Sequence, residues 1–150
     1  MYSRVLVPID GSEASMRAVE AASRLGAAFG AEVFLLHVID DSAGYSLPPG
    51  LEQLAQMESV MRGEDRYLVS FTQQMMARAA SRARMLHVRL LHEEVRVGRP
   101  SDSIAAFAKE RDIDLIVMGR HGADCVSSRL LGDIVQRVMQ LVDCACLTVR

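Results

Sequence analysis

No block of basic residues occurs anywhere in the 150-residue chain: its 17 Lys and Arg and 19 Asp and Glu are scattered from end to end, with a formal net charge of -2. That scatter excludes the arm or patch that grips a phosphate backbone, so nucleic acid is not an expected partner. Lysine is almost missing. Lys109 is the single one, it falls mid-helix in the pattern described below, and no G-x-x-x-x-G-K-[ST] loop surrounds it. A G-x-S-x-G nucleophile elbow is absent, as is a G-x-G-x-x-G fingerprint after the first strand, where Asp10-Gly11-Ser12-Glu13 stands instead. With no nucleophile or acid/base pair in view, the chain reads as non-catalytic, a slow ATPase being the alternative.

Cysteine is sparse as well. Cys125, Cys144 and Cys146 form neither a zinc knuckle nor a C-x-x-C redox pair, and no histidine lies nearby in sequence to complete a metal site, so they read as small buried or half-buried thiols. No apolar run approaches the roughly 18 to 20 residues of a spanning helix, and the N-terminus enters a strand pattern without a signal-peptide layout. A cytoplasmic protein with no membrane partner is expected.

What is present is alternation of strand and helix over a length that suits one domain. Arg4 to Ile9 is a short apolar run ending in the turn residues Asp10-Gly11-Ser12, the pattern of a buried parallel strand feeding a helix that Ser12 or Asp10 can cap. Ala18, Ala22, Leu25 and Phe29 follow at helical spacing, with Gly30 as a stop, and Glu32 to Ile39 forms a second strand. Asp40 to Gly50, with Pro48-Pro49-Gly50, reads as irregular. Leu54, Met57, Met61, Leu68, Phe71 and Met75 keep a three-to-four spacing, giving one long helix or two with Gly63 as a candidate kink. Their methionines suit gap-filling core or a partner-facing surface.

A third strand is expected over Leu91 to Val97, then a helix opened by Pro100 that carries Ile104, Phe107 and Ala108. Asp114 to Met118 is the strongest buried strand. A helix after Gly132 places Ile134, Val138 and Leu141 at its core face, and Ala145 to Val149 is the last strand. Five strands alternating with four helical segments make one layered α/β domain on a parallel sheet, whose ligand crevice lies at the C-terminal ends of the strands. A phosphorylated receiver needs an acid after strand three, where Gly98-Arg99 stands.

Two loops converge in such a fold, Pro8-Ile9-Asp10-Gly11-Ser12 after strand one and the segment starting at Gly119 after strand four. Glycines at 119, 122 and 132 let backbone N–H groups approach an anion, and the helix that follows Gly132 aims its positive end at the same place. Gly119-x-x-Gly122, nine residues and then Gly132 resembles the glycine signature of the universal stress protein family. The stretch Val5-Leu6-Val7-Pro8-Ile9-Asp10-Gly11-Ser12, the triplet Leu36-His37-Val38 and the run Ile113 to Gly119 resemble that family too, and the resemblance covers all but roughly residues 40 to 66.

The resemblance implies a doubly wound five-stranded parallel sheet in the order 3-2-1-4-5 with helices on both faces. It also implies stress-related roles, a homodimer with an unidentified protein partner and, in one branch of the family, bound ATP. In that branch the position matching Asp10 contacts adenosine and the backbone at Val38 meets adenine. The crevice would further take in Pro8 and Met118, while Gly119, Arg120, Gly122 and Gly132 hold phosphates beside Ile134. The nucleotide-binding branch has Ser, Thr or Asn where this chain has Asp133. A carboxylate cannot donate to a phosphate oxygen. It either caps the helix and repels phosphate, so that AMP is accepted better than ATP, or binds magnesium together with ATP. The last strand would lie at a sheet edge with little charge to protect it, the place for homodimer contact.

Overall fold

The computed structural model describes residues 1–40, 63–120 and 131–150. The elements run β1 (Arg4–Pro8), α1 (Glu13–Phe29), β2 (Glu32–Ile39), α2 (Gly63–Met85), β3 (Leu91–Val97), α3 (Pro100–Glu110), β4 (Leu115–Gly119), α4 (Asp133–Leu141) and β5 (Ala145–Val149). All pairings are parallel and the spatial order is β3-β2-β1-β4-β5. From β1 the chain steps outward to β2 and β3, then crosses back to β4 and β5. The reversal falls between β1 and β4.

Strand alternation sorts the apolar residues onto two faces. Val5, Val7, Val33, Leu35, Leu115 and Val117 enter one core with Ala18, Val19 and Ala22 of α1 and Met75, Met76 and Ala79 of α2. Leu6, Phe34, Leu36, Ile116 and Met118 enter the other with Ile104 and Phe107 of α3 and Val135 and Val138 of α4. Helices therefore cover both faces, and the central strands are apolar at nearly every position because neither side meets water. Small residues line α1 and α2, where Ser23, Gly26, Ala80 and Ala83 let the helices lie close to the sheet.

Helix α1 starts at Ser12, whose hydroxyl accepts from the Ser15 amide at 3.1 Å, and ends on Gly30 in the left-handed conformation. Its buried stripe takes in Ala18, Val19, Ala22, Ser23 and Gly26, whereas Phe29, expected on that face, is 43% exposed in the last turn. In α4 the buried pair is Val135 and Val138; Ile134 and Leu141, also expected inside, are exposed. Met75 and Met76 are core residues rather than partner-facing surface. Leu54, Met57 and Met61, and the irregular stretch after Asp40, lie outside the described residues.

The two sheet edges differ. On β3, Glu93 pairs with Arg84 at 2.7 Å, Arg96 with Glu110 at 2.6 Å, and His92 with Glu32 at 3.1 Å. β5 reads Ala-Cys-Leu-Thr-Val, with Leu147 exposed and no charge.

Candidate functional site

At the C-terminal ends of the strands, Pro8 is the last residue of β1, in register with Leu36, and the Ile9 amide donates to the Leu36 carbonyl at 2.8 Å. The chain then turns. Asp10 Oδ1 accepts from the Ser12 amide at 2.9 Å, an Asx turn that leaves Ser12 to cap α1. Between them Gly11 has φ +83, with Phe71 and Met75 of α2 close above it. Asp10 itself is exposed at the sheet's end.

The exit of β4 lies directly beside this turn. A Cβ on Gly119 would meet the Ala14 backbone carbon at 2.6 Å and the Ser15 nitrogen at 2.8 Å, so the absent side chain lets β4 touch the first turn of α1. The Arg120 amide donates to the Val149 carbonyl at 2.7 Å, and the Arg120 carbonyl accepts from the Gly132 amide at 3.0 Å. That second bond draws Gly132 back to the end of β4 and closes the loop at its base. Met118, one residue earlier, is buried with its side chain in the core shared with α3 and α4. Gly122, together with His121, Cys125 and Arg129, lies outside the described residues.

Gly132, in an extended conformation, is the N-cap of α4 and, being glycine, makes no side-chain cap bond to the helix. Asp133 is therefore not the cap: it occupies the first helical position, exposed. Ser and Asp cap from one residue earlier, where their backbone is still extended; here the Arg120–Gly132 bond gives that place to glycine. The first-turn amides of α4 present a positive helix end at the reversal point of the sheet, with a carboxylate at its rim. The Ile134 side chain is exposed, so this residue could offer a ligand only its backbone and outer flank.

Val38 completes the crevice from β2. Its side chain packs partly on the α3–α4 core. Next to it, His37 is buried, and its Nδ1 donates to the Ile9 carbonyl at 2.8 Å. Burial pushes the imidazole below its ordinary value, while the bond to Ile9 and the charge of Asp10 pull it back up. The residue thus stands neutral at neutral pH, its proton on the nitrogen that faces the carbonyl. Sequence patterns left His37 without a role; the signal was a histidine inside the apolar run Phe34-Leu35-Leu36-His37-Val38-Ile39.

On the α1–α2 side of the turn, a cavity of about 190 Å³ is lined by Gly11, Met16, Phe71, Gln74, Met75 and Arg78. The α2 residues were not expected near the crevice, since no periodicity tells which turn a helix will overhang. Cys144 and Cys146 are half-buried, their thiols raised by burial, and they pack against the α3–α4 core. Among the described residues no group of three His, Cys, Asp or Glu is placed to hold a metal ion, and no helix is long and apolar enough to cross a membrane.

Comparison with known proteins gives a consistent result. The model of the Universal stress protein family matches residues 1–150. The Universal stress protein MJ0531 of Methanocaldococcus jannaschii is 30% identical over 150 residues, covering 100% of this chain and 83% of its own. A universal stress protein solved in complex with cAMP superposes with a TM-score of 0.72 at 24% identity, over 99% of this chain and 97% of that one. The universal stress protein from Archaeoglobus fulgidus in complex with dAMP gives a TM-score of 0.69 at 21% identity, over 99% and 98% of the two chains.

Proposed function

The chain belongs to the universal stress protein family, and from that membership we propose that it is a non-catalytic sensor binding an adenine nucleotide, AMP in preference to ATP, in the crevice between β1 and β4. The observation that carries this reading is the contact of Gly119 with the first turn of α1, which brings the end of β4, where Arg120 holds Gly132, against the helix that follows the Asp10 turn. Open parallel sheets bind ligands at such a reversal point. The Asp10 carboxylate accepts from the nucleoside, the backbone of Val38 meets the base, and the amides at the start of α4 take the phosphate. Two solved relatives of the same fold are described with cAMP and dAMP, both adenine nucleotides with a single phosphate.

Asp133 sets the preference. Its carboxylate stands at the first position of α4, on the path of any phosphate that follows the first, and two like charges about 4 Å apart repel by about 1 kcal/mol in water and about 4 at an effective dielectric near 20. Magnesium held between Asp133 and a triphosphate would reverse that sign. Calorimetric titration with AMP and ATP, each with and without magnesium, tests the proposal. AMP binding stronger than ATP binding without metal is expected. No binding of either would place the chain among ligand-free interaction proteins, and tight ATP binding that is lost on chelation would replace repulsion by a metal bridge.

We also infer that the protein works as a homodimer joined along β5. That strand presents an uncharged edge with Leu147 exposed. An unprotected edge of this kind is usually paired or covered. A protein partner would then read the occupied or empty state of the crevice.

A further inference from the structure

Resting on the adenine-nucleotide reading of the crevice, we propose that His37 is a positioning residue: it holds the seam between β1 and β2 open at its end, so that the peptide edge of Val38 remains turned to the base.

Consecutive residues of a strand aim their backbone groups to opposite sides. On β2, Leu36 faces β1, since its carbonyl takes the Ile9 amide at 2.8 Å, and Ile39 faces β3, since its carbonyl takes the Gly98 amide at 3.0 Å. By the same alternation His37 bonds toward β3 and Val38 toward β1. In an unbroken parallel ladder the next rung would run from the Val38 amide to the Ile9 carbonyl. Among the described residues that backbone bond is not made; the Ile9 carbonyl instead receives the His37 ring at 2.8 Å. A side chain from one residue earlier thus takes the acceptor that would zip the strands together, and the amide and carbonyl of Val38 point past the end of β1 into the crevice.

That edge is a donor beside an acceptor. Adenine offers the complementary pair, an acceptor at its ring nitrogen N1 and a donor at its amino group, whereas guanine offers a donor and an acceptor in the reverse order. An open seam at Val38 therefore favours adenine. Burial keeps the ring neutral with one donor and one acceptor, which fixes its single N–H on Ile9.

Three variants test the assignment. The amide nitrogen of asparagine lies as many bonds from Cβ as Nδ1 does, so His37→Asn can keep the bond to Ile9; His37→Gln reaches one bond further and His37→Leu has no donor. Two readouts are taken on the full chain: AMP affinity by calorimetry and hydrogen exchange of the Val38 amide by NMR. His37→Leu and His37→Gln are expected to bind AMP at least tenfold more weakly and to slow Val38 exchange at least tenfold, as that amide closes onto Ile9. His37→Asn should stay within threefold of wild type in both. Should His37→Leu fail to fold, the Asn and Gln pair decides. Unchanged Val38 exchange in the Gln or Leu variant overturns the assignment, as does loss of AMP binding by a folded Asn variant. Absence of AMP binding by wild type overturns the nucleotide reading instead, and the exchange comparison then still decides whether His37 holds the seam open.

Discussion

Gly119 and Ala14 touch so closely that a Cβ on the glycine would stand 2.6 Å from the alanine's backbone carbon. Backbone cannot swing aside as a side-chain tip can. Gly119→Ala must therefore move the start of α1 or the end of β4, at a cost of about 1–3 kcal/mol, the range for overpacking a tight site. Denaturant unfolding should show that loss, and AMP binding should fall with it. Full stability in the alanine variant would mean that the two loops are not held together here.

Asp10 is expected to matter more to ligand than to fold. Its carboxylate accepts the exposed amide of Ser12 at 2.9 Å. Removing it by Asp10→Ala should cost about 0.5–1.5 kcal/mol of stability, because the bond lost to Ser12 is exposed to water, but about 1.5–3 kcal/mol of AMP affinity, the range for a hydrogen bond to a charged group. Melting curves with and without AMP separate the two effects. An unchanged difference between those curves would leave Asp10 as a turn former only.

Asp133→Ser removes the negative charge from the first turn of α4 and supplies a hydroxyl. ATP affinity without magnesium should rise about tenfold, equivalent to ~1.4 kcal/mol, with AMP affected less. Calorimetry on both proteins checks this. A fall in magnesium-dependent ATP affinity on the same substitution would identify Asp133 as a metal ligand.

Leu147, 40% exposed on β5, is the position at which a charge should disrupt pairing with least harm to the core. Leu147→Lys is expected to sediment as a monomer at micromolar concentration where wild type sediments as a dimer. A monomeric wild type, or a variant that remains dimeric, would remove the β5 interface.

His37 links stability to pH. Its folded value lies below the ordinary 6.5 because burial opposes the charge. As pH falls past 6.5 the unfolded chain takes up the proton first, so stability is full above that value, declines between the unfolded and folded values, and levels off below the latter. Urea unfolding from pH 7.5 to 5 should show this decline, and His37→Asn should flatten it. An identical slope in the variant would assign the decline to groups other than His37.

Much of the architecture was legible because it depends on local pattern. Strands β2, β3 and β5 have the boundaries that the sequence suggests, and Ser12 and Gly30 bracket α1 as turn and cap chemistry requires. Where position depends on distant contacts, pattern failed. In α4 the spacing of Ile134, Val138 and Leu141 fits a helical stripe as well as Val135 and Val138 do; the bond from Gly132 to Arg120 belongs to the geometry that orients the helix, and no periodicity contains it. The same bond moved the cap from Asp133 to Gly132. Gly119 is expected from sequence as a phosphate-loop glycine, but its contact with α1 requires knowing that β1 and β4 are neighbours. Of the residues expected at the site, Pro8, Asp10, Val38, Gly119, Arg120, Gly132 and Asp133 all fall at the strand ends. His37 reads from sequence as a satisfied or exposed histidine rather than a base, and a lone histidine in an apolar run carries no signature of its partner.

The unlike edges of the sheet have a consequence for how many copies can assemble. In the proposed dimer, two molecules joined along β5 by a twofold axis would consume the uncharged edge of each, and the combined sheet would end at both sides on β3, with its ion-paired Glu93 and Arg96. Neither terminus then resembles the surface that drove association. In the proposed dimer growth would stop at a closed pair, because the charge pattern of a strand outside the interface does not match the edge that associates.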